Sequence, residues 1–208
     1  MGADRYSTLL SFEFSDDRLL RIDFKEQYPL YFETYLKPSQ TNVVRFLREK
    51  WTYTLVIALL YIAVVNALVK VMKKRVPFEL RKALFIWNSI LAVLSLFGFV
   101  RTNEEFIYVL AHHGYYKSVC YTYAEENAMS FWAMIFAILK VCELGDTFFI
   151  VLRKRPLIFL HYYHHIFVLI YTVHAGAEQT GTARWFIWMN YLVHTLMYTY
   201  YAFTSTGR

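Results

Sequence analysis

The sequence has few of the residues that staple or punctuate a soluble fold. Its 208 residues include two cysteines, four prolines and seven glycines, and only 18% are charged. Two cysteines exclude a disulfide framework. Glycine-rich phosphate loops, low-complexity tracts, internal repeats and a second, soluble domain are all absent. The first fifty residues hold eight acids and eight bases and lack the apolar core of a cleavable signal peptide, so the first hydrophobic span is expected to serve as the insertion signal.

What is abundant is apolar and aromatic surface. Hydrophobic residues make up 57% of the chain and aromatic ones 20%, with 18 Phe, 18 Tyr and 5 Trp. Disorder is thereby excluded, because a chain this hydrophobic gains more from burial than it loses in entropy. An ordinary soluble domain is excluded as well, since it has no need of uncharged runs near the bilayer-spanning length of roughly 20 residues.

Four such runs are present. Trp51 to Val69 is 19 residues, Ala83 to Val100 is 18, Pro156 to Ala177 is 22 and Trp185 to Gly207 is 23, taking His as neutral. A fifth run, Asn127 to Leu152, carries Lys140, Glu143 and Asp146 in its middle. Each charge at that depth costs roughly 2.5 to 3.5 kcal/mol, so these three are expected to face protein or a wet cavity. The sequence therefore predicts an all-α, polytopic membrane protein with five spans, at about 51–69, 83–100, 127–152, 156–177 and 185–207. They follow an N-terminal segment, 1–50, whose Phe12, Phe14, Tyr28, Tyr31, Phe32 and Tyr35 suit an interfacial position. A loosely ordered tail is the alternative for that segment.

The net charge of +6 is a topology signal. Lys70, Lys73, Lys74, Arg75, Arg81 and Lys82 lie in the first interspan loop, and Arg153, Lys154 and Arg155 in the third. The second loop pairs Arg101 and Lys117 with Glu104, Glu105, Glu125 and Glu126, and the fourth is neutral, Glu178 with Arg184. Alternate loops are basic, so the positive-inside rule places them in the cytoplasm and the N-terminus on the other side. Nucleic acid is not needed to explain the excess. Cys120 then falls in the non-cytoplasmic loop and Cys142 inside the third span, so the two should not pair.

Polar groups inside the spans mark where function is to be sought. In KVCELGDT, Lys140, Glu143 and Thr147 share a helical face with Asp146 at its margin; an ion pair that merely locks helices is the plainer explanation. In HYYHH, His161, His164 and His165 follow Pro156 and are expected on the first two turns of the fourth span, within about a third of its circumference. In MNYLVHTLMYTYY, the residues Asn190, His194, Met197, Tyr198 and Tyr201 form one stripe, with Tyr198 and Tyr201 open to an aromatic-belt reading. Asn190 and His194 need partners, and the HYYHH imidazoles are the expected ones. His112, His113 and His174 read as structural or solvated.

Histidine boxes also occur in di-iron desaturases and hydroxylases. Seven histidines with one HxxHH box and no HxxxH box underligate such a site, so no metal is expected. Imidazole acid–base and nucleophilic chemistry is better supported.

Three segments carry a specific resemblance: FELRKALFIWNSILAVLSLFGFVRT, KVCELGDTFFIVLRKRPLIFLHYYHH and RWFIWMNYLVHTLMYTYYAF. In this order and spacing they resemble the very-long-chain fatty acid elongases of the endoplasmic reticulum. The likeness runs from about Pro77 to Arg208, and the FELRK and WN surroundings look most like the subgroup acting on saturated and monounsaturated acyl-CoAs. The resemblance implies condensation of acyl-CoA with malonyl-CoA to 3-oxoacyl-CoA, CO2 and CoA, without metal or redox cofactor. It implies seven helices, six of them forming a barrel around an acyl tunnel. It also implies that His164 accepts the acyl group and that His194 lies across from it.

On that basis His161 or His165 would orient His164, Asn190 and His194 would stabilise an oxyanion or enolate, and Lys140, Glu143 and Asp146 would brace the box. Arg153, Lys154 and Arg155 with Lys73, Lys74 and Arg75 would hold CoA phosphates. Membrane lipid, a homo-oligomer and other elongation-cycle enzymes are the candidate partners. The family pattern continues for two further helices beyond TSTGR, so a fragment of a longer elongase is expected, or a truncated product. The latter supplies the alternative of a non-catalytic membrane subunit that associates with full-length elongases.

Overall fold

In the computed structural model, residues 21–22, 24, 30–35, 40–123 and 128–207 are described. Phe12, Phe14, Tyr28, the Tyr35 side chain, Glu125, Glu126, Asn127 and Arg208 lie outside the described residues. The described elements are β1 (Arg21–Ile22), α1 (Tyr31–Tyr35), α2 (Gln40–Lys50), α3 (Tyr53–Met72), α4 (Arg81–Cys120), β2 (Thr122–Tyr123), α5 (Ala128–Cys142), α6 (Gly145–Leu152), α7 (Phe159–Glu178) and α8 (Ala183–Ser205). Helix dominates as expected, and the described strands are limited to β1 and β2, which form a two-residue parallel ladder. No closed barrel forms among the described residues.

By length and composition, α3 and α4 are the two described helices apolar enough to cross a membrane. The apolar run of α3 ends at the basic cluster Lys73, Lys74 and Arg75, where charge rather than a cap stops the helix from remaining in hydrocarbon. Helix α4 differs from the expected second span. It does not stop at Val100 but continues to Cys120, bending at Gly114, where φ is 77°. The expected third span is likewise two helices, broken at Glu143 and Leu144. The fourth starts later than expected, because residues after Arg155 remain extended and Ile158 caps the helix at ψ 132°. Proline therefore lies ahead of α7 rather than in its first turn, and His161 is its third residue.

The described part of the acidic second loop of the sequence reading is mostly helix, and of its charges Arg101 and Glu105 are buried while Glu104 and Lys117 are exposed. Arg101 is buried and makes a two-pronged contact to Glu33 of α1, Nε to Oε1 and Nη2 to Oε2, both 2.7 Å, and reaches Glu104 at 2.8 Å. Glu33 also accepts from Trp132 Nε1 at 2.7 Å and from the Leu30 N–H at 3.0 Å. Arg184, assigned to a neutral loop by the sequence, is fully buried. Its guanidinium holds Glu105 at 2.9 to 3.0 Å and donates to the Ser118 and Tyr121 carbonyls at 2.9 and 2.6 Å. These two bidentate pairs fix α1, α4, α5 and the start of α8 at one end of the molecule.

The core is laid between α4, α5 and α8, with Leu91, Phe131, Trp132, Phe136, Ile187 and Tyr191 at its centre. Helix α8 packs along α4, and Gly98 permits the closest approach. A Cβ there would meet the Tyr191 ring at 2.4 Å. Tyr191 is held in turn by donating its hydroxyl to the Trp132 carbonyl at 2.8 Å. A second cluster joins α3, α6 and α7 through Tyr61, Val65, Leu144, Ile166 and Leu169. Helix α2 lies against α7, so this part of the N-terminal segment is packed helix rather than tail. Cys120 and Cys142 are both exposed and unpaired.

Burial raises the affinity of Glu33 for a proton, but the hydrogen bonds from Arg101, Trp132 and Leu30 outweigh it and hold the carboxyl below its ordinary value of 4.5. Its contribution to stability is thus fully present above pH 4.5 and is lost as pH falls below that value through the folded-state pKa. Glu33→Gln is expected to lower stability at neutral pH by up to about 3 to 5 kcal/mol, less what Glu104 retains on Arg101. In thermal unfolding of detergent-solubilised protein, the gap between wild type and variant should close on acidification below pH 4.5; a gap independent of pH contradicts the assignment. Gly98→Ala should cost about 1 to 3 kcal/mol by overpacking, read as a fall in Tm, whereas an unchanged Tm would mean that α4 and α8 are not so tightly apposed.

Candidate active site

The three polar clusters of the sequence come from α5–α6, α7 and α8. The clusters of α5–α6 and α8 meet at Lys140, near the end of α5 and only 3% exposed. Its ammonium donates to both Glu143 oxygens at 2.7 and 2.8 Å and to Asn190 Oδ1 at 2.7 Å, and lies 3.4 Å from His194 Nδ1. Glu143 Oε1 is 3.0 Å from the same His194 nitrogen. The Phe136 ring closes one side, 4.6 Å from Nζ. One ion pair therefore orients two side chains of α8 from α5. Lys140 and Glu143 are three residues apart, so the pair forms across the end of α5, between its last turn and the joint with α6.

This arrangement corrects one expectation. The partners of Asn190 and His194 are Lys140 and Glu143, not the HYYHH imidazoles. Asp146 stands apart from the network. Its Oδ1 accepts from Trp87 Nε1 and its Oδ2 from Tyr198 OH, both at 2.6 Å. Trp87 fits because Gly145 has no side chain, and a Cβ there would meet the indole at 2.8 Å. Tyr198 is 1% exposed, so it is an internal donor and not part of an aromatic belt, whereas Tyr201 is exposed. Thr147 shares a 2.5 Å hydrogen bond with Tyr61 of α3. The polar face of KVCELGDT thus bonds to three neighbouring helices, α3, α4 and α8.

His161 and His165 lie with ring centroids 4.6 Å apart, and His164 and His165 5.6 Å apart. His165 is buried and His164 exposed. His161 Nε2 is buried without a hydrogen-bond partner. No hydrogen bond joins these imidazoles to the Lys140 network among the described residues, but His164 lies in the electrostatic field of Lys140, His194 and Glu143, and His165 in that of Glu143 and Lys140. Helix α7, which carries the three imidazoles, packs against α5. Among the described residues, no group of three or more His, Cys, Asp or Glu side chains could hold a metal ion. His112 and His174 rest on aromatic rings, Tyr108 and Trp51.

The two basic loops converge. The Phe78 N–H donates to the Leu152 carbonyl at 3.0 Å, and Lys154 Nζ reaches the Lys73 carbonyl at 3.5 Å. Lys73, Lys74, Arg75, Lys154 and Arg155 are exposed at this edge, and Arg153 is half-buried. Beyond the network, a cavity of about 420 Å³ runs between α2, α3, α5, α7 and α8. Phe131, Met134, Ala137, Val173, Phe186 and Ile187 are among its lining. Its volume and apolar walls are those of a site for a small or elongated apolar ligand.

Trp87 and Tyr198 were the residues hardest to assign from sequence. The available signal was physical: an indole N–H and a phenol O–H in mid-span each require an acceptor, and Asp146 is the acceptor in reach.

The sequence profile of the GNS1/SUR4 (ELO) family matches residues 46–208. The chain belongs to that family. It is 42% identical over 184 residues to putative fatty acid elongase 4 of Caenorhabditis elegans, covering 88% of this chain and 62% of that protein. It is 48% identical over 160 residues to very long chain fatty acid elongase 6 of Drosophila melanogaster, covering 76% and 51%. Against very long chain fatty acid elongase 6 of Homo sapiens the identity is 41% over 170 residues, covering 81% and 64%. The chain thus spans between half and two thirds of the length of these relatives.

Replacing Lys140 by Met removes the ammonium while keeping the stem. Glu143 is then a buried, uncompensated charge, a change worth about 3 to 5 kcal/mol, and Asn190 and His194 lose their orienting donor. Lys140→Met should therefore lower Tm by more than the double variant Lys140→Met/Glu143→Gln. An additive double variant contradicts the coupled network.

Proposed function

We propose that this elongase-family chain condenses a long-chain acyl-CoA with malonyl-CoA, giving 3-oxoacyl-CoA, CO2 and CoA, through an acyl-histidine intermediate. The observation that carries this reading is the buried ion pair that orients Asn190 and His194, on a helix that packs against the one bearing the histidine box, with an apolar cavity that reaches the Phe136 ring beside Lys140. The reading takes the protein as a five-span protein of the endoplasmic reticulum membrane with its N-terminus in the lumen. The names of its relatives support a substrate in the long-chain acyl range, and the resemblance supports saturated and monounsaturated chains.

In the first half-reaction a ring nitrogen of neutral His164 attacks the thioester carbonyl. The C–S bond breaks, CoA leaves as the thiolate and is protonated, and the acyl group stays on the imidazole. His165, against the His164 ring, keeps that ring oriented. In the second half-reaction malonyl-CoA loses CO2, and the electron pair of the broken C–C bond becomes an enolate. Its carbon attacks the acyl-imidazole, forming the new C–C bond and releasing His164. Asn190 and His194 are the groups held rigidly enough to stabilise negative charge on the thioester or enolate oxygen. Their preorganisation by Lys140 and Glu143 means that little reorganisation is needed as charge develops.

Burial of the network among apolar side chains shields the enolate from water. The basic residues of the two joined loops hold the CoA phosphates at the cytoplasmic edge. Neither a metal nor a redox cofactor enters these steps.

The test is turnover of radiolabelled malonyl-CoA by purified protein supplied with a long-chain acyl-CoA. His164→Gln should reduce 3-oxoacyl product by at least about a hundredfold, in line with loss of a nucleophile or general base. Undiminished product from that variant would remove the acyl-histidine from the account. Arg153→Ala with Lys154→Ala should instead raise KM for the CoA substrates and leave kcat nearly unchanged.

A further inference from the structure

Asp146 and its two donors share no side-chain hydrogen bond with the Lys140 network among the described residues, yet one ring contact joins them. His194 and Tyr198 are four residues apart on α8, so their side chains meet on one face. The ring centroids are 5.4 Å apart and the planes cross at 74°, an edge-on contact. On its other side the imidazole is held through a single atom, Nδ1, which lies 3.0 Å from Glu143 Oε1 and 3.4 Å from Lys140 Nζ. One point of attachment does not fix a ring, because the torsion that turns it is broad and roughly two-fold. The Tyr198 ring supplies the second point.

Tyr198 can do this only if its own ring is fixed. Its hydroxyl donates to Asp146 Oδ2 at 2.6 Å, the length expected of a hydroxyl bonded to a carboxylate. Asp146 is not free to follow a moving phenol, because its Oδ1 accepts from Trp87 Nε1 at 2.6 Å, and Trp87 is seated in the space that Gly145 leaves open. The anchor of Tyr198 is thus built from α4 and α6, whereas Nδ1 of His194 is held from the end of α5. Tyr198 is 1% exposed and its hydroxyl is engaged by Asp146, so its influence on a reaction passes through His194.

We propose that Tyr198 is a positioning residue: anchored on Asp146, its ring holds the His194 imidazole with Nδ1 toward Glu143 and Nε2 left for the substrate. The proposal rests on the elongase reading for the task of His194, whereas the ring geometry it invokes does not depend on that reading. Without the anchor the imidazole gains rotational freedom and is less often placed where it can stabilise developing charge. Misplacement of such a group lowers turnover more than substrate binding, so the expected loss is about tenfold in kcat with KM within about twofold.

The experiment compares two deletions of a buried phenol oxygen. Tyr198→Phe removes the bond to Asp146. Tyr61→Phe removes the bond to Thr147 of the same helix, but the Tyr61 ring packs on Phe148 instead. Condensation is measured beside the ring resonances of His194 in protein with isotope-labelled histidine, assigned by their loss in His194→Gln. Tyr198→Phe should lower kcat about tenfold, leave KM nearly unchanged and shift or broaden the His194 resonances. Tyr61→Phe should lower Tm while leaving kcat and those resonances as in wild type. Asp146→Asn leaves one acceptor oxygen for two donors and should move the same resonances; it carries the test where Tyr198→Phe does not fold. Unmoved His194 resonances in Tyr198→Phe and Asp146→Asn, a wild-type kcat in Tyr198→Phe, or an equal loss of kcat in Tyr61→Phe would each overturn the proposal. A wild type that does not condense would remove the elongase reading, while the resonances still decide whether Tyr198 holds the ring.

Discussion

The candidate site depends on one ammonium held out of water. Lys140 is surrounded by the α4–α5–α8 core, where an isolated charge costs several kcal/mol even after relaxation. Four polar atoms offset that cost, two from Glu143 and one each from Asn190 and His194. Because the acceptors come from the α5–α6 joint and from α8, satisfying Lys140 fixes the rotation and register of α8 against α5. A small slip would leave the charge unpaired. The geometry of the proposed oxyanion groups is thus a consequence of electrostatic necessity.

The same logic recurs at the opposite end of the helices. Arg101 with Glu33, and Arg184 with Glu105, are buried two-pronged pairs that join α1, α4 and α8. Between these polar anchors lie the apolar core and the cavity. The protein is organised as two buried electrostatic knots separated by hydrocarbon-like packing, with the exposed basic loops beyond one of them. Rigidity at both ends leaves the cavity walls, built from apolar side chains without directional bonds, as the part best able to adapt to a chain.

How much of this was legible in the sequence can be traced residue by residue. Uncharged runs located the helices, because exclusion of charge is a one-dimensional property. Their ends were less legible. Arg101, Glu105 and Arg184 looked like the start and end of loops, since a charge reads the same whether it meets water or a buried partner tens of residues away. The joint in KVCELGDT was hidden because a helix and a broken helix share one composition. Periodicity correctly set Asn190 and His194 on one stripe and marked Lys140 and Glu143 as a pair. It assigned the stripe to the wrong partner, since angular spacing within a helix carries no information about which neighbour it faces. Donor counting would have done better: Trp87, Tyr198 and Lys140 each needed acceptors at membrane depth, and Asp146, Glu143 and Asn190 were the acceptors in adjoining segments.

The account turns on whether the acyl group is ever carried by the protein. Incubating the purified protein with a long-chain acyl-CoA in the absence of malonyl-CoA, followed by denaturation and peptide mass analysis, reads this directly. The account predicts one acyl adduct on the peptide containing His164, discharged by subsequent addition of malonyl-CoA. Condensation that proceeds at full rate while that peptide never carries an acyl group would contradict it.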